Sequence, residues 1–487
     1  MMKLLFLNPP IGSWVYWGKH RAINVAHAQL TACIREWVKE VDISVIDCRA
    51  SELKEEQMID KIKQISPDVI YMGDAYQMTG TVAILPLYQK AAKLIKKNFP
   101  NVKICVGGFY IAANYAEISK ESPDFDFIIS GEVDLTLTEL IQALKNNEKD
   151  FSKIKGLLYR DNGSFKTNEY RELIKDLDTL PMPAYDLFPM DKYIGYGSMP
   201  FYQEIFTARG CPFGCGMCID WVIVDPRGNC DWQQHRFKSA ARVVDEMELL
   251  LTKYGKKYIH IFDLNFNPVR RRVEEFLKEM QKRKLPIKYA FLGNAHSFVR
   301  DKDLLKDLRD TGFVCGIFGL EVEDAETLKK IKKGITVQNV HEVTQLFREL
   351  GIMSTITWMI GFPDDDETKI KRRFAVLDEI DPDVSSLQMM LPVPGIPLYD
   401  EFSPYVEEHD LMKWDFHHPI VRTKHLTRQQ LGQLAEWANR EFYTKKNRIQ
   451  RILESKTLHE YPKNIFKSYM FNLEKFANAA TKEEIII

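Results

Sequence analysis

The chain has 487 residues, 45% hydrophobic and 28% charged, with 67 basic against 68 acidic side chains. A net charge of -1 excludes the broad positive field that holds nucleic acid, and no run approaches 18 uninterrupted apolar residues, so no membrane span is expected. The length suggests two to four domains, and five of the eight cysteines are scattered, mostly in apolar segments, as reduced thiols of a cytoplasmic protein would be.

Residues 1–145 read as alternating strands and helices. The apolar run 3–7 ends at Asn8-Pro9-Pro10, and residues 22–38 have helical periodicity. A strand at 42–47, a helix at 52–64 and a strand at 68–72 follow, closed by Gly73-Asp74. Next come a Lys-rich helix at 85–98, strands at 103–106 and 127–130, and a helix at 136–144. The pattern predicts a doubly wound, Rossmann-like parallel sheet. Its ligands would sit beyond the carboxyl ends of the strands. The loops there are 8–17, 73–79, 107–109 and 131–134, although any such sheet needs turn residues at these places.

Residues 146–195 change character. Asn162-Gly163 between two short apolar runs is a hairpin signal. Pro181, Pro183 and Pro189 suit an extended linker. From 196 to 400 the alternation resumes, with strands at 203–207, 257–262, 287–292, 312–320, 354–360 and 385–390 and helices between them. A full or partial β/α barrel is the simplest solution, with its chemistry at the carboxyl ends of the strands. Residues 401–487 read as a small helical C-terminal domain, in which Thr427…Gln430 forms a capping box ahead of a helix at 431–453. The basic run 369–373 reads as a solvated helix face.

The stretch that carries chemistry is Cys211-Pro212-Phe213-Gly214-Cys215-Gly216-Met217-Cys218, just after the first strand of this second set. Three thiolates on one loop can converge on a soft metal centre. Iron–sulfur clusters usually take four cysteines, and Cys230 lies twelve residues further on. An iron without a protein thiolate could bind a small molecule. The alternatives are a zinc knuckle, for which His235 would supply only one further ligand, or three unrelated core thiols.

Other stretches join the cysteine loop in one order: Gly107-Gly108, Ile129-Ser130-Gly131-Glu132, Leu180-Pro181-Met182-Pro183, Arg209-Gly210-Cys211-Pro212, Gly319-Leu320-Glu321, Lys333-Gly334-Ile335-Thr336, Ile360-Gly361-Phe362-Pro363 and Pro394-Gly395. Together they resemble the radical S-adenosylmethionine (SAM) superfamily, in the branch with an N-terminal cobalamin-binding domain. The resemblance implies that Cys211, Cys215 and Cys218 hold a 4Fe-4S cluster whose open iron takes SAM. It places Asp263 at the methionine amine, Asn294 and His296 at the third strand end, Glu321 at the ribose and Gly361 near adenine. His296 would contact substrate or move a proton. Gly73, Gly107 and Gly108 would cradle cobalamin, and Tyr76, Phe109 or Tyr110 could lie against it.

The sequence also departs from the pattern. No D-x-H-x-x-G motif follows the first strand, so cobalamin would be held without that histidine, or the domain keeps the fold without the cofactor. His20 and His27 read as surface or helix residues. The family's G-E-G-E is Gly131-Glu132-Val133-Asp134 here, and Met217 stands where an aromatic residue is usual. The reaction the resemblance implies is methylation of an unactivated carbon through a 5′-deoxyadenosyl radical, fed by an external donor such as flavodoxin or ferredoxin. Oxidative cyclisation or rearrangement is the alternative, and a non-catalytic cobalamin or redox-sensing module a third. The substrate would be a small molecule or peptide, its pocket lined by the C-terminal helices, with Trp414, His417 and His418 as candidates.

Overall fold

The structure, a computed structural model, describes residues 1–10, 20–73, 82–218 and 235–481. It divides into two compact units, the first including residues 23–192 and the second residues 193–218 and 235–481. Loop positions 11–17 and 74–79, Tyr76 and Cys230 lie outside the described residues.

The first unit is built on a seven-stranded sheet of order β2-β1-β3-β4-β5-β6-β7. Strands β1 (Met2–Asn8), β2 (Val41–Asp47), β3 (Val69–Gly73), β4 (Lys103–Gly107) and β5 (Phe127–Ile129) are parallel. Their apolar side chains bury against helices Val25–Trp37 and Val133–Lys145. The hairpin expected in the linker instead extends this sheet. Strand β6 (Leu157–Asp161) pairs antiparallel with β5, and β7 (Ser164–Thr167) with β6. Asn162 (φ 48°) and Gly163 (φ 87°) make the two-residue turn in left-handed backbone. The sheet is therefore mixed, five parallel strands with an antiparallel edge. A helix not foreseen from the sequence, Phe109–Glu121, follows β4 directly.

The second unit holds a six-stranded, all-parallel sheet of order β15-β14-β13-β12-β11-β8. In chain order the strands are β8 (Tyr202–Ile205), β11 (Tyr258–Ile261), β12 (Lys288–Leu292), β13 (Phe313–Glu321), β14 (Met353–Ile360) and β15 (Val384–Met389). Helices such as Ala240–Tyr254, Arg270–Arg283 and Val337–Leu350 connect them. An aromatic layer of Phe291, Phe298, Phe313, Phe318 and Phe347 welds strands to helices. The six strands make a partial barrel. At the C-terminal end the expected single helix is two, Arg428–Tyr443 and Lys446–Leu453, and Thr427 and Gln430 form the capping box. The basic run 369–373 is only partly a solvated face. Arg373 is buried, paired with Asp365 and Glu323, while Arg372 stays exposed. No helix among the described residues is long and apolar enough to cross a membrane.

Candidate active site

The cysteine loop leaves the carboxyl end of β8 and is pinned before its first thiol. Strand β9 (Ala208–Arg209) pairs antiparallel with β10 (Arg236–Phe237). Asp263, just past the end of β11, accepts hydrogen bonds at Oδ1 from Thr207 N (2.6 Å) and Ala208 N (2.8 Å). Its Oδ2 accepts from Thr207 Oγ1 and from Arg272 Nη2 (2.7 Å). Gly210 (φ 77°) then turns the chain in a backbone conformation that side chains disfavour.

Within the loop Cys211, Cys215 and Cys218 are half-buried, whereas Cys33, Cys48, Cys105 and Cys315 are buried. Gly216 N donates to Ile331 O (2.9 Å), and Gly216 O accepts from Leu398 N (3.0 Å). A Cβ on Gly216 would stand 3.0 Å from Leu398 Cγ, so glycine lets this strap close. Among the described residues no three His, Cys, Asp or Glu side chains gather as they would round a single ion. The described residues therefore form no closed zinc site, and three half-buried thiols on one anchored loop are the residues that could hold a cluster.

Asp263 does not present an open carboxylate. A carboxylate has about four acceptor positions, and the four hydrogen bonds of Asp263 occupy them. Two amides missed in the sequence stand beside it. Asn265 Oδ1 and Asn267 Nδ2 are buried and have no hydrogen-bond partner among the described residues. No motif announced them; only the strand end gives them away.

Asn294 also has a structural task. Its Oδ1 accepts from His296 N (2.9 Å) and Ser297 N (3.4 Å), capping helix Ala295–Arg300. His296 is exposed, without the burial or bonding of a positioned acid or base. Gly361 (φ 99°) is packed against Val421 and Met390, and its N–H donates to Asp365 Oδ2 (2.9 Å). Trp414 is buried with Nε1 donating to Glu408 O. His418 Nδ1 lies 2.9 Å from Asp415 Oδ2, on a segment joined to the end of β15 by Met389 N donating to Phe416 O (2.6 Å).

Glu321, in left-handed backbone (φ 62°) at the end of β13, pairs with Lys333 Nζ at 2.6 Å. Its Oε1 also lies 3.4 Å from Thr357 Oγ1, and no hydrogen bond at Oε2 is present among the described residues. Burial works against the Lys333 charge. The Glu321 carboxylate, with Cys215 and Cys218 beyond it, nevertheless holds its pKa above the ordinary lysine value. A buried network missed in the sequence lies on the same sheet. Tyr202 Oη donates to Glu204 Oε1 (2.9 Å) and sits 3.2 Å from His260 Nδ1. One hydroxyl has one proton. With that proton on the carboxylate, His260 Nδ1 must be the donor, which leaves Nε2 as an acceptor, buried and unpartnered.

The model for the radical SAM superfamily matches residues 205–374, the stretch from β8 to helix Glu367–Ile380. An uncharacterized methyltransferase of Pyrococcus horikoshii is 28% identical over 454 residues, covering 91% of this chain and 93% of its own. An anaerobic magnesium-protoporphyrin IX monomethyl ester cyclase of Cereibacter sphaeroides is 27% identical over 413 residues, 83% of this chain and 64% of its own. Among solved structures, the cobalamin-dependent SAM radical enzyme OxsB, with aqua-cobalamin and SAM bound, aligns with a TM-score of 0.70 at 15% identity, covering 98% of this chain and 71% of that one. The SAM methyltransferase TsrM of Kitasatospora setae, with cobalamin and a [4Fe-4S] cluster bound, aligns at 0.63 and 16% identity over 82% and 77%. Residues 205–374 carry the radical SAM superfamily's domain, and the chain as a whole is similar to members of its cobalamin-binding branch.

In this radical SAM chain the first unit places its own crevice where strand order reverses, between β1 and β3. Asn8, Asn24 and Asp47 are buried there. Asn24 Nδ2 donates to Asn8 Oδ1 (3.1 Å) and Gly73 O (2.7 Å), and Asn8 Nδ2 donates to Asp47 Oδ2 (3.1 Å). The glycine cradle is partly filled from within. A Cβ on Gly73 or Gly107 would meet Tyr71 Oη at 2.2 or 2.8 Å. Gly108 has φ 124°, a conformation that side chains disfavour, at the N-terminus of helix Phe109–Glu121. Neither candidate histidine lies on the surface. His27 is buried between Phe6 and Tyr71, and His20 pairs with Glu204 in the second unit. Tyr110 is buried as well.

Proposed function

We propose that this chain is a cobalamin-dependent radical SAM enzyme that methylates an unactivated carbon of a small-molecule or peptide substrate. The observation that carries the reading is the cysteine loop, three half-buried thiols strapped to the carboxyl end of a parallel partial barrel. Alignment with OxsB along nearly the whole chain supports the pairing of that barrel with a cobalamin-type unit.

Cys211, Cys215 and Cys218 would hold the cluster, and the crevice at β1 and β3 with Gly108 would take cobalamin. When bound, the cluster with SAM supplies one-electron cleavage of the sulfonium, and cobalamin supplies the methyl group. The protein's part is placement. Asp263 and Arg272 fix the backbone entering the loop, and Leu398 and Ile331 hold its middle. Asn265 Oδ1 offers an acceptor for the methionine ammonium, and Glu321 Oε2 one for ribose hydroxyls. Phe213 and Met217 are half-buried and limit water at the loop. An external one-electron donor such as flavodoxin or ferredoxin is required.

Anaerobic reconstitution tests this directly. It should give about four irons per chain, a cobalamin spectrum, and 5′-deoxyadenosine together with S-adenosylhomocysteine. Cys215→Ala should lose the iron. Protein that takes up neither iron nor cobalamin contradicts the proposal. The cyclase relative supports a second reading, oxidative cyclisation, in which deoxyadenosine would form without S-adenosylhomocysteine.

A further inference from the structure

We propose that Lys333 is the cation that sets the charge, and so the reduction potential, of the cluster held by Cys211, Cys215 and Cys218, with Glu321 as its counterweight. The inference rests on the cluster reading above. It assigns a task to the Lys333-Gly334-Ile335-Thr336 stretch, which that reading leaves unused.

Three observations converge on it. First, the segment carrying Lys333 is docked on the cysteine loop from both sides of the lysine. Ile331 O accepts from Gly216 N at 2.9 Å. Gly334 (φ 69°) faces Phe213, whose Cδ1 would be 3.6 Å from a Cβ there. Second, the lysine side chain is only 17% exposed, yet its one ion-pair partner among the described residues is Glu321 Oε1 at 2.6 Å. Space for that pair is made by glycine. A Cβ on Gly319 would lie 1.9 Å from Glu321 Oε1 and 2.5 Å from Lys333 Nζ. Third, Cys215 and Cys218 act on the lysine in the same sense as Glu321, favouring its charged form. Charge interaction is reciprocal, so an ammonium on a segment docked to the loop favours added negative charge on the group that the loop holds.

Adding one electron to a thiolate-held cluster raises its negative charge. The potentials of such clusters follow net charge, burial and hydrogen bonds to sulfur. A half-buried ammonium on the segment docked to the cysteine loop makes reduction easier, and the Glu321 carboxylate moderates it. The pair therefore gives opposite signs for its two members, which a merely structural ion pair would not.

The test needs neither substrate nor turnover. Wild type, Lys333→Gln, Lys333→Arg and Glu321→Gln are reconstituted anaerobically and their iron content measured. Each is then titrated with dithionite against mediator dyes, with the reduced cluster followed by electron paramagnetic resonance. Lys333→Gln should disfavour reduction at least tenfold, about 59 mV for one electron. Glu321→Gln should shift the potential the other way, and Lys333→Arg should stay near wild type. Two neutralising variants that both carry iron yet share the wild-type potential, or move in the same direction, overturn the inference while leaving the cluster intact. A wild type that binds no iron overturns the cluster reading itself. If Lys333→Gln does not fold, the easier reduction required of Glu321→Gln, with Lys333→Arg held near wild type, still decides the matter.

Discussion

Arg272 Nη2 stands 2.7 Å from Asp263 Oδ2, and both side chains are buried. The pair does not reach the chemistry directly. It acts on Thr207 and Ala208, whose N–H groups Asp263 holds, and so fixes where the chain enters the cysteine loop. Arg272 is also held by Phe266 O (3.1 Å) and lies over the Phe266 and Phe237 rings. Asp263→Ala would leave a buried guanidinium and two N–H groups unpaired, a loss of about 3–5 kcal/mol for a broken buried pair. We expect lowered stability and reduced iron uptake, read by denaturant unfolding and iron analysis. Asp263→Ala with full iron and wild-type stability would show that the pair positions nothing.

Asn265 gives a contrasting prediction. Its Oδ1 is buried without a partner beside the saturated Asp263. A hydrogen bond to a charged group contributes about 1.5–3 kcal/mol. Asn265→Ala should therefore weaken SAM binding to the reconstituted protein by roughly 10- to 100-fold while iron content stays at the wild-type level. Equilibrium dialysis with labelled SAM separates the two quantities. Unchanged affinity would remove Asn265 from the site.

These two residues mark what the sequence allowed. The alternation of apolar runs with glycine-bearing loops sufficed for both sheets, since a parallel sheet buried on two faces needs such runs. The cysteine spacing pointed to its loop because thiolates have few other reasons to cluster. Strand-end position alone did not say which polar side chain serves the ligand and which serves the fold. Asp263 turned out to hold the distant backbone of Thr207 and Ala208, and Asn294 the helix it caps, a local role that its short polar side chain favours. The glycines at 73 and 107 make room for Tyr71, and spacing cannot reveal a ring arriving from the same sheet. Helix Phe109–Glu121 was hidden by its weak periodicity and by the glycines before it.

Acid lability should follow from buried imidazoles. Burial lowers the pKa of His260 to about 4, with Glu204 opposing and His20 reinforcing, and burial lowers that of His27 to about 3. An unfolded imidazole takes its proton near 6.5. Between those values the unfolded chain binds more protons than the folded one, so stability falls as pH falls. For His260 this amounts to about 2–3 kcal/mol lost between pH 6.5 and 4.5. His260→Gln removes the titration, so its denaturant midpoint should drop less than wild type over that range. Equal drops would mean that folding does not lower the proton affinity of His260.

The Asp415–His418 pair predicts the opposite slope. Burial opposes a charge on His418, but the Asp415 carboxylate 2.9 Å away, helped by Glu408 and opposed by Lys413, raises its pKa above the ordinary imidazole value. The Asp415 carboxyl is desolvated too, yet His418 holds its pKa below the usual range. A raised histidine stabilises fully below about 6.5, and that stability is lost as pH climbs through the folded value. The lowered carboxyl stabilises above about 3.9 and loses its effect as pH falls through its own folded value. The pair is therefore strongest in mildly acidic solution and weakens toward alkaline pH. Asp415 Oδ1 also accepts from His417 N and His418 N at 2.9 Å, so the pair shapes the turn tied to the end of β15. Asp415→Asn should lower the His418 pKa in a nuclear magnetic resonance titration. It should also flatten the loss of stability between pH 6 and 9, and His418→Gln should flatten it too. A His418 titration identical in wild type and Asp415→Asn would mean that the carboxylate does not hold the proton.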